Sequence, residues 1–287
     1  MKAIFYLISL IIISFSFSSC KPSKSFVRTT DEYQNKILNN TKIGIISDLC
    51  LDYDPWFKKN YIIVDESVNA GKFMTEEAKK TLESKGYTVE YTFLPFTGAF
   101  ILPEDSVRIA KTKGETVSKA IAPFYSDEIF QEDSLYATAV YEVLNAFYYT
   151  MTNNIEPPFS ADPFLVNSLK LISEYTGQDK ILFIIGNGTV VPLSKTIIQG
   201  VSIGLLTALI TFGYFYYYIY ETSVFDSYIG LLDLNTGELL WTNYMNLSGS
   251  QPDSESFYSD IWAKNMLYYF PAVNDTIREN KATYLNK

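Results

Sequence analysis

The chain has no histidine and little charge. The absence of His among its 287 residues excludes catalytic triads, imidazole proton shuttles and histidine-containing zinc sites. Only 19% of residues are charged, and 32 acidic side chains outnumber 23 basic ones, which gives a net charge of -9. Because such a surface repels phosphate, nucleic acid is not an expected partner. With 47% apolar residues the chain can bury a sizeable core, which excludes intrinsic disorder as its main state.

The first nineteen residues have the layout of an export signal. One Lys precedes an apolar run that ends on small serines, as in a secretory signal peptide, so we assign residues 1–19 to a leader. The segment Phe17-Ser18-Ser19-Cys20 resembles the lipobox of bacterial lipoproteins. That resemblance implies cleavage before a diacylated Cys20. The sequence departs from the usual motif at Phe17, where Leu is common.

Only two cysteines are present, and the alternative to lipidation is a disulfide. After an ordinary signal peptide, Cys20 could pair with Cys50 in an exported chain. Lipidation instead leaves Cys50 as a lone packed thiol and ties the chain to a membrane through the acyl groups on Cys20. No acidic residue directly follows Cys20, and we expect the protein at the periplasmic face of the outer membrane.

The remainder divides into a tether, one domain and a tail. Residues 20–41 are polar without apolar periodicity, which predicts a flexible tether. Residues 42–273 predict a single α/β domain, and residues 274–287 predict a polar tail. The expected architecture is a mixed sheet with a βαβ start, flanking helices and a C-terminal antiparallel hairpin.

Hydrophobic periodicity places the elements of this domain. Strands are predicted at 42–47, 61–64, 87–94 and 180–185, and helices at 67–85, 106–113, 133–151, 163–175 and 254–270. The continuous apolar run at 180–185 is typical of a strand covered on both faces, so we expect it at the centre of the sheet. Ser67 is the predicted N-cap of the first helix, and Gly86 is its predicted C-terminal glycine.

The clearest local motif is Leu232-Asp-Leu-Asn-Thr-Gly-Glu-Leu-Leu-Trp241. Its two apolar strands flank a tight turn, which predicts a β-hairpin. Gly237 can adopt a positive φ there, and Asp233 can accept backbone N–H bonds across the turn. Trp241 is expected to pack on the sheet.

With the strand around residues 179–186 and the apolar run after Ser194, the hairpin resembles those of a group of bacterial envelope lipoproteins. That group is related to the curli-secretion lipoprotein and the TolB N-terminal domain. The matched hairpin residues are Leu232, Asp233, Thr236, Gly237, Glu238 and Trp241. The resemblance implies an α/β domain without catalysis, whose partners are copies of itself or other envelope proteins. Apart from the covalent lipid at Cys20, we expect no cofactor.

Residues 196–220 carry no charge and are long enough to cross a bilayer. Gly200 and Gly204 add the spacing common in packed membrane helices. A span would, however, place the strand at 180–185 and the hairpin on opposite sides of the membrane and divide one sheet. The flanking charges also oppose the orientation that the leader imposes. We favour a buried helix followed by a strand in the segment FYYYIY, and a transmembrane helix at 196–220 is the alternative.

Three aspartates follow the first strand, where α/β sheets place ligand-binding loops. Asp48, Asp52 and Asp54 offer the oxygen ligands that Mg²⁺ and Ca²⁺ prefer. A solvated acidic loop explains the same pattern, so they are candidates and no metal is assigned. Ser194 has no histidine to activate it and is expected to cap a helix. The function expected from the sequence is therefore that of a non-enzymatic, lipid-anchored envelope protein.

Overall fold

A computed structural model describes residues 26–29, 42–55, 59–99, 101, 105–125, 134–153, 163–210 and 222–273. The predicted leader, Cys20 and the predicted tail lie outside these residues, as do residues 211–221, which include the segment predicted as the strand FYYYIY.

The described part is built on one mixed sheet. Its strands are β1 (Phe26–Thr29), β2 (Lys42–Tyr53), β3 (Tyr61–Ile63), β4 (Thr88–Thr97), β5 (Ser106–Ala110), β6 (Ser118–Ile121), β7 (Phe124–Tyr125), β8 (Lys180–Val190), β9 (Val224–Asp233) and β10 (Glu238–Ser248). The strand order is β1-β10-β9-β8-β2-β3-β5-β6, with β4 beside β2 and β7 beside β4. Strand β2 runs parallel to β4 and β8, whereas β8, β9, β10 and β1 are successively antiparallel.

Helices cover both faces of this sheet. They are α1 (Val64–Ser84), α2 (Ser134–Asn153), α3 (Pro163–Thr176), α4 (Leu193–Ile210), α5 (Glu255–Phe257), a π-helical turn (Tyr258–Trp262) and α6 (Ala263–Met266). The predicted α/β class is confirmed, including the βαβ start formed by β2, α1 and β4 and the antiparallel hairpin of β9 and β10.

Two hydrophobic cores lie on opposite faces of the sheet. On one face, α1 and residues 255–270 pack over the sheet, with Trp241 edge-on to Phe270 at a ring distance of 4.9 Å. On the other face, α2 and α3 cover the sheet, and Phe147 of α2 packs near Phe183 of β8. As predicted, β8 lies between β2 and β9 inside the sheet, because its apolar side chains are buried on both faces.

Three local predictions differ from the structure. Residues 106–110 form strand β5 and not a helix, because they pair with β3 and β6. Helix α1 begins at Val64, with acidic residues in its first turn that favour the helix dipole. Ser67 therefore lies inside the helix, where its Oγ donates to the Ile63 carbonyl at 2.6 Å and accepts from the Leu51 N–H at 2.9 Å.

The sheet also extends into the segment predicted as a tether. Residues Phe26–Thr29, within predicted tether 20–41, form β1 and pair with β10. The backbone of β10 offers a free row of N–H and C=O groups on that side, and a short extended segment can satisfy it whatever its composition.

Candidate functional site

Two of the three candidate metal-ligating aspartates, Asp48 and Asp52, lie in β2, Asp54 directly follows it, and all three bind different partners. Asp48 is buried, and its two carboxylate oxygens accept from the N–H groups of Gly98 and Ala99, both at 2.8 Å. Since β2 and β4 are parallel neighbours, this carboxylate fixes the chain where it leaves β4. Asp48 thus has a structural role, because its carboxylate holds the backbone of the adjacent loop in place.

The other two aspartates lie nearer the end of β2. Asp52 accepts from the Asn60 side chain at 3.3 Å, and burial raises the pKa of its carboxyl. Asp54 forms an ion pair with Lys195 of α4, with 2.5 Å between Oδ2 and Nζ. Within the described ranges, no group of three metal-ligating side chains is found.

Cys50 lies between these aspartates and is 3% exposed. Its thiol is free. Burial raises the pKa of this thiol, and the nearby carboxylates of Asp48 and Asp52 raise it further. A thiol with a raised pKa stays protonated and is a poor nucleophile. Cys20, the predicted lipidation site, is outside the described residues.

The hairpin residues meet at the turn between β9 and β10. Asp233 Oδ1 accepts from the N–H groups of Asn235 and Thr236, both at 3.0 Å, and Gly237 has a φ of 68°. The Thr236 Oγ1 accepts from the Glu238 N–H at 3.3 Å. Trp241 is fully buried on the face covered by residues 255–270. These residues build the turn and the core beneath it.

A polar aromatic cluster, which no local sequence pattern predicts, lies on the other face of the hairpin. Tyr228 stacks on Tyr244 at 4.6 Å, and Tyr148 of α2 contacts Tyr228 edge-on at 5.7 Å. The Tyr244 hydroxyl and the Asn246 amide both donate to Asp226, at 3.0 and 2.5 Å. Burial, followed by the charge of Asp226, raises the pKa of Tyr244 to about 12. The phenol therefore stays protonated at neutral pH and serves as a hydrogen-bond donor.

The register of the hairpin is the signal that locates this cluster. Tyr228 lies opposite Tyr244 and Asp226 lies opposite Asn246, so alternation in both strands places all four on one face. In the sequence alone the two strands are only predicted to pair, and the helix that carries Tyr148 is more than seventy residues away.

Helix α4 presents large aliphatic side chains to the surface. We call them the apolar face of α4: Leu193, Ile197, Ile198, Val201 and Leu209, each between 45% and 75% exposed. In the described residues no helix is both long and apolar enough to cross a membrane, and residues 211–221 of the alternative span lie outside them.

Comparisons with known proteins do not assign this chain to a family. No family model and no curated protein matches the chain. Two solved structures of PelC dodecamers from Paraburkholderia phytofirmans are similar to it, each with a TM-score of 0.28. One of them, a variant with a single substitution, is 9% identical, and the match covers 84% of this chain and 94% of that chain. The other is 10% identical, with 85% of this chain and 98% of that chain covered. A TM-score this low does not establish a shared fold.

The candidate functional site is therefore a surface. Asp48 and Asp54 hold a loop and a helix in place, and the hairpin turn is closed by the Asp233 carboxylate together with the Gly237 N–H bond to the Asp233 carbonyl. The exposed apolar side chains on the helices face outward.

Proposed function

We propose that this chain is a lipid-anchored protein of the bacterial cell envelope that acts without catalysis, through protein–protein contacts beside the membrane. The observation that carries the proposal is the position of Cys20, directly after an apolar leader and six residues before the first strand of the sheet. A lipid on this residue would moor the folded domain close to the bilayer.

The environment of Cys50 supports the assignment of the lipid to Cys20. Cys50 is enclosed in the sheet with a protonated thiol, so acylation or disulfide exchange at this residue would require the core to open. Of the two cysteines in the chain, Cys20 is then the one left for covalent chemistry.

Exposed side chains on the α2–α3 layer support protein contacts. Leu135 and Tyr149 on α2, and Val166 and Tyr175 on α3, are each at least 44% exposed. Apolar side chains exposed on a helical layer are candidates for coverage by another protein. We infer that copies of this chain, or other envelope proteins, pack against this layer.

Metabolic labelling tests the anchor. Cells expressing the full chain are fed an alkyne analogue of palmitate, and the wild type is compared with Cys20→Ala and Cys50→Ala. We expect the label to be lost in Cys20→Ala and kept in Cys50→Ala, which removes the other thiol. Unchanged labelling of Cys20→Ala would contradict the proposal.

Mass measurement tests the contacts. The detergent-extracted protein is expected to have a mass above that of one processed chain, which is itself lighter than the 32.7 kDa full sequence, as a self-assembly or as a complex. Val166→Asp should lower that mass, whereas Asn167→Asp, at the next exposed position of α3, should not. A single-chain mass for the wild type, with no co-purified protein, would count against action through protein contacts.

A further inference from the structure

The described side chains that make up the apolar face of α4 lie on one side of the helix. At 100° per residue, its five side chains fall within about 160° of the helix circumference. Lys195 lies outside this sector and is buried in its ion pair with Asp54, directly after β2. The ion pair thus fixes the helix to the end of β2 and leaves the aliphatic sector turned away from it.

This helix also lacks the charge that a water-facing helix carries. From Thr196 to Ile210 there is no Asp, Glu, Lys or Arg, and the single charged residue of α4, Lys195, is paired. Exposing such an uncharged, apolar helix face to water is unfavourable.

Helix α4 and the first residue of β1 lie toward the same end of the sheet. Thr189 of β8 and Ser248 of β10 both pair with Val224, so β8, β9 and β10 reach this end together. Phe26 pairs with Tyr244, four positions from Ser248, and β1 is antiparallel to β10. Phe26, the first residue of β1, is therefore its residue nearest to this end.

The short connection places the anchor beside α4. Phe26 is the sixth residue after Cys20, and six residues span at most about 21 Å. Phe26 lies four strand positions, about 14 Å, from the end of the sheet marked by Ser248. A lipid-anchored Cys20 can therefore reach about 7 Å beyond this end along the strand axis. Strands β8 and β1 are three strand spacings apart, about 14 Å.

We propose that the apolar face of α4 inserts into the headgroup region of the leaflet that holds the Cys20 lipid, as a second membrane contact that does not span the bilayer. This inference rests on the proposed lipidation of Cys20. An interfacial helix of this kind has its axis near the membrane plane and its aliphatic side chains among the first acyl carbons. A lipid surface is the favoured occupant because the anchor brings it to this end of the sheet whether or not another protein is present.

Depth-dependent quenching tests the contact on the full lipidated protein. In a Cys50→Ala background, single cysteines are placed at Ile197, Val201 or Leu209 and labelled with nitrobenzoxadiazole. Thr236→Cys is the matched control, since Thr236 is exposed at the hairpin turn, at the opposite end of the sheet. The proteins are reconstituted in phosphatidylcholine vesicles with or without doxyl-labelled lipid.

We expect doxyl lipid to quench the probes on α4, with a blue shift of their emission, and to leave the probe at residue 236 unchanged. If the protein floats with the vesicles but none of the α4 probes is quenched, the anchor stands and the α4 contact is overturned. Energy transfer between copies at the α4 positions, without quenching by lipid, overturns it in favour of a second copy.

A mass spectrum of the purified protein separates this failure from that of the proposed function. If Cys20 carries no lipid, the lipoprotein assignment fails and the α4 inference fails with it. If Cys20 carries the lipid, the quenching result decides the α4 contact alone.

Discussion

Lys195, in the first turn of α4, forms an ion pair with Asp54, beyond the end of β2, and both side chains are largely buried. The pair joins parts of the chain 141 residues apart and fixes the apolar helix to the sheet. A lysine at a helix N-terminus opposes the helix dipole, so its position is explained by Asp54 and not by capping.

Removing one partner of this pair should be costly. Lys195→Met leaves the buried carboxylate of Asp54 without its cation, and we expect a loss of about 1–3 kcal/mol in the free energy of unfolding. Urea denaturation of the detergent-solubilised protein measures it. Lys170→Met, which removes the exposed Lys170–Glu174 pair on α3, is the control and should have little effect. Equal effects of the two substitutions would show that the buried pair has no special role.

Asp48→Asn should loosen the loop after β4. An amide has one oxygen and cannot accept from both Gly98 and Ala99 as the carboxylate does, so one buried N–H loses its acceptor. We expect a loss of about 1–3 kcal/mol in stability. Hydrogen exchange at these two amides should accelerate more than exchange in the hairpin turn. Asp260→Asn, at an exposed position of the π-helical turn, is the control, and matching exchange rates in the two variants would refute the role of Asp48.

Burial gives Asp52 a distinct effect on the pH dependence of stability. The pKa of the Asp52 carboxyl in the folded protein is raised above the ordinary value near 4, so its favourable contribution to the free energy of unfolding is fully present below about pH 4. That contribution is lost as the pH rises from the ordinary pKa through the raised one, because over this range the carboxyl ionises in the unfolded chain but stays protonated in the folded protein. The stability of the wild type relative to Asp52→Asn should therefore fall over this window and then level off. A constant difference from pH 3 to pH 7 would show that the carboxyl is not perturbed.

Gly230 marks a close approach between α2 and the sheet. A Cβ on this residue would lie 2.5 Å from a ring carbon of Phe147 and 2.9 Å from Leu239. Gly230→Ala is expected to destabilise the protein by about 1–3 kcal/mol, because the rigid ring must shift. Combining it with Phe147→Leu should recover part of the loss in chemical denaturation, since the smaller side chain makes room. If the double variant shows the sum of the two single losses, steric contact is not the cause.

Local patterns explain which parts of the fold could be predicted. The hairpin of β9 and β10 follows from the turn at Asn235-Thr236-Gly237 and the apolar residues beside it, and β8 follows from its continuous apolar run. Residues 106–110 were assigned wrongly because their strand is defined by pairing with β3 and β6, which no local pattern reveals. Ser67 has the sequence context of a cap, but its hydroxyl bonds to Leu51 of a neighbouring strand.

The candidate site was less predictable for the same reason. The closely spaced aspartates after the first strand indicate a metal site in the sequence. Their partners Gly98, Ala99 and Lys195, however, come from a loop and a helix far along the chain. The cluster at Tyr228 and Tyr244 depends on strand register and on a tyrosine from α2. Sequence pattern places a residue on an element, whereas these contacts depend on how the elements pack.

The parallel pairing of β2 with β8 sets the order in which this protein can mature. Gly44 pairs with Ile181, so the middle of the sheet joins positions well over a hundred residues apart, and closing so long a loop is slow. A nascent chain that ends before β8 leaves the apolar strand β2 without this neighbour. Its exposed apolar surface favours aggregation until the second half of the chain arrives.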